Sequence, residues 1–170
     1  MHCKNDSDIT MEETETLYRL ANNHISVDCV VVGFDGEGLC VLLVKRDGID
    51  DSGEFHGMKL PGSLIYEDED LDQAAARVLF ELTGLKNVNL MQFKTFGSKN
   101  RTKDPRDVLW LERAQGAHVE RIVTVGYVAL VKIDRTNEKQ LVNSSAFWTP
   151  VSEIGDLAFD HNLIVAEALS

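Results

Sequence analysis

Glu69, Arg77 and Glu81 are the side chains best suited to chemistry in this chain, and all three fall in LPGSLIYEDEDLDQAAARVLFELTGL, Leu60 to Leu85. Apolar groups at 71, 74, 75, 78, 79 and 82 form the stripe of an amphipathic helix from about Leu71 to Leu82. At about 100° per residue, positions 78, 81 and 82 share one side, so carboxylates at all three would converge on one cation. The residues there are Val78, Glu81 and Leu82, and only one carboxylate converges. Arg77 and Glu81, four apart, allow two readings: an exposed ion pair worth roughly 0.2–0.5 kcal/mol, or a pair turned toward a ligand. Of the acidic run before the helix, Asp68 and Asp70 are expected to cap its free N–H groups.

This stretch resembles the Nudix box, G-x5-E-x7-R-E-U-x-E-E-x-G-U, where U is bulky and apolar. Anchored on Thr83-Gly84-Leu85, the frame matches at Glu69, Arg77, Leu79, Glu81, Gly84 and Leu85. Ser63 replaces the first Gly, Val78 the first Glu of the ligand set, and Leu82 the last. The resemblance implies a helix that elsewhere holds Mg2+ against a diphosphate. Glu81, with Glu69 near it, is a thin site for a cation that needs several oxygens. The expectation is therefore no catalytic residue and no metal site, Glu81 being only a weak candidate ligand; Mg2+ enters as a cofactor only if the chain is a hydrolase.

Around the box, Ser26–Phe34 and Leu39–Arg46 read as strands joined through Asp35-Gly36-Glu37-Gly38, a hairpin signal. Asp47-Gly48 opens a polar loop through Gly57, and Met58-Lys59-Leu60 leads into the box. Beyond the box helix, Val88–Phe96 and Arg121–Ile133 read as strands, separated by Gly97–Glu120. That is a long stretch to leave structureless, and Val108–Ala114 is expected to form a short helix in it. Ser145–Pro150 reads as a last strand and His161–Leu169 as a helix, with Asp160 capping and His161 packing. The order indicates α/β architecture: a Nudix-type α/β/α sandwich on a mixed sheet. Residues 1–24 read as an acidic arm and 25–170 as one domain.

The 170 residues are 44% hydrophobic and 26% charged, an ordinary globular balance. No apolar run approaches a membrane span and no leader is evident, so a cytoplasmic protein is expected. Cys3, Cys29 and Cys40 lack metal or disulfide spacing, and the last two read as small buried hydrophobes. A net charge of -11 disfavours direct grip on nucleic acid. Lys94, Lys99, Arg101, Lys103 and Arg106 nevertheless make one local basic segment.

Two stretches outside the box narrow the resemblance. Phe96-Gly97, Asp104-Pro105-Arg106 and Arg121–Leu130 (RIVTVGYVAL) resemble the FG, DPR and RVVSVAYLAL segments of the Nudix-related transcriptional regulators, split here by an insertion of Asp107 to Glu120. Trp148-Thr149-Pro150 and Leu157-Ala158-Phe159-Asp160-His161 resemble the WxP and LAFDH segments that close the effector domain of that family, which includes NAD-metabolism repressors and an arabinose-responsive regulator. The resemblance implies a homodimeric effector-binding domain, with DNA bound through a winged helix-turn-helix outside this chain. Its effector would be a sugar such as a pentose, or ADP-ribose, with Lys45, Arg46, Lys59, Glu69, Arg77, Glu81, Arg101 and Arg106 around it. Hydrolysis of a nucleoside diphosphate derivative such as ADP-ribose is the alternative, and an interaction module without a ligand is a third.

Overall fold

In the computed structural model, residues 19–50, 53–115, 121–141 and 144–170 are described, without the side chains of 47–50, 53–56 and 115. Cys3, most of the expected acidic arm and residues 116–120 lie outside that set. Seven strands among the described residues form one sheet: β1 (Ala21–Phe34), β2 (Leu39–Asp50), β3 (Gly53–Lys59), β4 (Gly62–Tyr66), β5 (Met91–Phe96), β6 (Val123–Lys132) and β7 (Ala146–Pro150). The main path runs β3-β2-β1-β6-β5, with β4 paired to β1 and β7 to β2. β1 and β6 run parallel, from Ile25 beside Val123 to Phe34 beside Lys132, and the other pairs are antiparallel, which makes the sheet mixed.

Alternation along β1 and β2 decides which face each helix covers. Val27, Cys29, Val31, Leu42 and Val44 pack with Ala74, Ala75, Val78 and Leu79 of α1 (Leu71–Thr83). Val30, Val32, Val41 and Leu43 pack on the other face with Leu60 and with Ile164 and Val165 of α4 (His161–Leu169). Helices on both faces give the expected α/β/α sandwich. Gln73 reaches back to the Asp70 N–H at 2.8 Å at the start of α1, and Gly84, at φ 81°, ends the helix by donating to the Phe80 carbonyl.

The segment read as a polar loop from Asp47 to Gly57 is instead the outer half of a long hairpin, paired from Val44–Lys59 to Asp50–Gly53. Ladder bonds satisfy that backbone, and turn-forming residues such as Asp47 and Gly48 do not outweigh them. β1 starts at Ala21, inside the expected arm, because Tyr66 of β4 offers it a partner. The third strand is shorter than Val88–Phe96, and the insertion helix is longer than Val108–Ala114: α2 spans Pro105–Gln115. A further short helix, α3 (Arg135–Leu141), follows Asp134, whose carboxylate accepts from Asn137 N at 3.0 Å.

Gly62 stands opposite Asp28 in the register, and a Cβ there would lie 1.9 Å from Asp28 Oδ1. Gly62→Ala is therefore expected to lower stability by about 1–3 kcal/mol, the usual scale of core overpacking. Urea denaturation checks this, and an unchanged midpoint would contradict the close approach.

Candidate functional site

The candidate residues separate into two groups with β4 between them. In the first, Arg77 on α1 binds Glu69 through Nη2 at 2.6 Å and Nε at 2.9 Å, and Glu81 through Nη1 at 3.0 Å. Its Nη2 also donates to the Leu64 carbonyl of β4 at 3.3 Å. The Arg77 and Arg19 guanidinium carbons lie 4.0 and 4.2 Å from the Tyr66 ring centroid, and Arg19 bonds Asp68 at 3.1 Å. Asp68 therefore pairs with Arg19 and does not cap the helix. Burial alone would raise the Glu69 carboxyl, but the Arg77 hydrogen bonds and the Tyr66 N–H outweigh it and hold the group below its ordinary range.

This cluster does not fit Mg2+. Val78 is 1% exposed in the core, Leu82 packs against the same core, and Glu81 is engaged by Arg77. Among the described residues no three His, Cys, Asp or Glu side chains converge as a metal site.

The second group surrounds two adjoining cavities on the other side of β4. The inner cavity, about 50 Å3, is lined by Asp28, Lys59, Arg101, Thr102, Trp110 and His161, among others. The outer cleft, about 490 Å3, includes Arg46, Arg101, Arg106, Asn100, Asp107 and Phe159 in its walls. Its size suits a small molecule, whose pockets hold roughly 300–1,000 Å3. Arg46, Lys59, Arg101 and Arg106 thus come together here. Lys45 does not join them: neighbouring residues of a strand point to opposite faces, and Lys45 is exposed where Arg46 is buried. Glu69, Arg77 and Glu81 line neither cavity.

Behind the inner cavity lies a fully paired polar core. Asp28 accepts from Thr124 Oγ1 at 2.6 Å and faces His161 Nε2 at 3.3 Å. Leu60 N donates to His161 Nδ1 at 3.0 Å, which leaves Nε2 as the proton-bearing nitrogen toward Asp28. Burial pushes the Asp28 carboxyl up, but His161, Thr124 and Lys59 together bring it below its usual value. Asp160 spends its carboxylate on Arg101, at 2.9 Å from Nη2, instead of capping α4. His161 packs as expected, 2% exposed, and also links Asp28 of β1 to the Leu60 N–H in the connection before β4.

Three wall residues escaped the sequence reading. Trp110 sits 5.1 Å from Lys59 Nζ and 5.6 Å from the Arg46 guanidinium carbon, and Phe159, in a left-handed conformation (φ 52°), lies 5.5 Å from that same carbon. Asp107 binds Arg46 at 2.7 Å. Trp110 and Asp107 belong to the stretch where a short helix, Val108–Ala114, was expected, and Phe159 lies in the LAFDH segment. The apolar run Val108-Leu109-Trp110-Leu111 was the one available signal.

The NUDIX domain model matches residues 22–168. No curated protein matches the chain. NrtR from Shewanella oneidensis is 30% identical over 85% of this chain and 60% of its own, with a TM-score of 0.65; the chain therefore spans about 60% of that relative's length. The NUDIX domain of the same NrtR, complexed with ADP ribose, is 27% identical over 95% of this chain and 97% of its own, at a TM-score of 0.64. A mutT/nudix family protein from Listeria innocua, 24% identical over 88% of this chain and 94% of its own, shares the fold at 0.65.

Burial lowers the Lys59 ammonium from 10.5 to about 8, with Asp28 opposing the shift and Arg46 adding to it. The unfolded chain thus holds this proton more tightly, so the stability contributed by neutral Lys59 is present above 10.5 and is lost as pH falls through about 8. Subtracting the stability of Lys59→Met from that of the parent chain should leave a limb rising between those values. A flat difference across the window would refute the assignment.

Proposed function

Because the chain belongs to the NUDIX family, we propose that it is an effector-binding domain of a transcriptional regulator that takes ADP-ribose and does not hydrolyse it. The observation that carries this reading is the state of the box helix. Glu69, just before the helix, and Glu81, on it, are held by Arg77, and Val78 lies in the core where a metal ligand would be needed. A sensor responds to a ligand through differential affinity for two conformations, and turnover would remove the signal.

The cleft has the chemistry for such a ligand. Arg46, Arg101 and Arg106 match diphosphate oxygens, as guanidinium forks do. Asp28, Lys59 and Thr102 offer the paired donors and acceptors that ribose hydroxyls require, and Trp110 and Phe159 supply flat apolar faces. The likeness to the NrtR domain complexed with ADP ribose, across nearly the whole of both chains, supports the same ligand. NrtR complexed with a 27mer DNA supports the regulatory role, at 30% identity. In this reading the -11 charge assigns DNA contact to a separate module, and the domain acts in the cytoplasm as a homodimer.

Calorimetric titration in chelator tests the proposal. ADP-ribose is expected to bind without metal, and Arg106→Ala, at an exposed position, to weaken binding about tenfold while leaving stability unchanged. If neither ADP-ribose nor a pentose binds at millimolar concentration, the reading falls. Nucleotide release that needs Mg2+ or Mn2+ and vanishes in Glu81→Gln would favour a hydrolase instead. Val78→Glu is expected to destabilise the fold, since it places a carboxylate in an apolar core, and so not to create activity.

A further inference from the structure

Arg46 is 6% exposed in the wall of the outer cleft, and its Nη1 donates to Asp107 Oδ1 at 2.7 Å. The Trp110 and Phe159 rings screen it from water. Opposite it in the ladder stands Gly57, which has no side chain, so the Arg46 side chain lies in van der Waals range of its backbone. A cation this far from water requires an anion, because a buried charge left without its partner is strongly destabilising. One such anion is the Asp107 carboxylate, from the first turn of α2. The same carboxylate also ties α2 to the loop before α4, since its Oδ2 accepts from Phe159 N at 3.1 Å.

We propose that Arg46 is the anion seat of the cleft, occupied by the Asp107 carboxylate until a phosphate of a diphosphate-bearing ligand takes its place and frees the first turn of α2. The proposal rests on the effector reading and names the exchange that ligand would drive. The diphosphate of such a ligand carries at least two negative charges where the carboxylate carries one, and its oxygens match the guanidinium fork at least as well. The rest of the diphosphate would meet Arg106, on the rim of the same cleft, whose contact with Asp104 is a long 3.7 Å surface pair and is easily given up. Asp107, once displaced, stands at a helix N-terminus and can return to water with α2. Binding is thereby coupled to the position of α2.

The test uses inorganic pyrophosphate and ADP-ribose as probes. Asp107→Asn keeps the shape but removes the competing charge, so both ligands should bind about tenfold more tightly than to the parent chain. In the unmodified protein, saturating ADP-ribose should accelerate amide hydrogen exchange over residues 105–111. That measurement stands even where the variant fails to fold. Slower or unchanged exchange there overturns the proposal, as does equal or weaker binding by folded Asp107→Asn. Tight ADP-ribose binding with α2 undisturbed would sink this exchange and leave the effector reading intact; no binding to either chain would sink both.

Discussion

A single buried carboxylate organises this molecule. Asp28 lies on the central strand, 4% exposed, and an ionised group in that position is tolerated only when its oxygens are paired. Thr124 of β6 and His161 at the start of α4 meet that demand, and Gly62 on β4 leaves the room the carboxylate needs. Leu60, just before β4, completes it by fixing the ring of His161 through Nδ1. Two strands, one helix and the connection between β3 and β4 are thus locked by one charge. The same lock sets the back wall of the inner cavity and keeps the Lys59 ammonium beside a negative group.

The two polar clusters flanking β4 differ in what they leave available. Around α1, one guanidinium bonds two carboxylates and a backbone carbonyl and lies over an aromatic ring, so its capacity is spent within the protein. Around the cleft, acids and bases also pair, but they do so in the walls of a space large enough for a ligand. Val78 and Leu82 explain the contrast. As apolar residues they extend the stripe of α1 into the core, so neither position offers a carboxylate to the surface of the helix.

The insertion helix α2 gives the cleft its particular character. Leu111 packs with Leu64 and Ile122, and Trp110 joins them at the edge, so the helix is anchored by apolar contact as well as by Asp107. Aromatic rings over buried cations exclude water and strengthen the electrostatics beneath them. A ligand entering such a site competes with the protein's own carboxylates, and the site's affinity is set by that competition more than by the count of positive charges.

The sequence by itself determined the layers and most of the elements. The period of α1, the β-branched runs of β1, β2 and β6, and the span of α4 each rest on local patterns that burial then satisfies. It also determined that the box lacks two carboxylates. Only the tertiary structure decided where the remaining charges go. Lys45 and Arg46 are equivalent in sequence and opposite in a strand. Asp160 looks like a cap and serves Arg101 instead, and Glu69 and Arg77 pair with each other. The hairpin through Asp47–Gly57 and the role of Asp107 were hidden for the same reason. A polar side chain or a backbone ladder is committed by whichever partner the fold brings within about 3 Å, and that partner is usually far away in sequence.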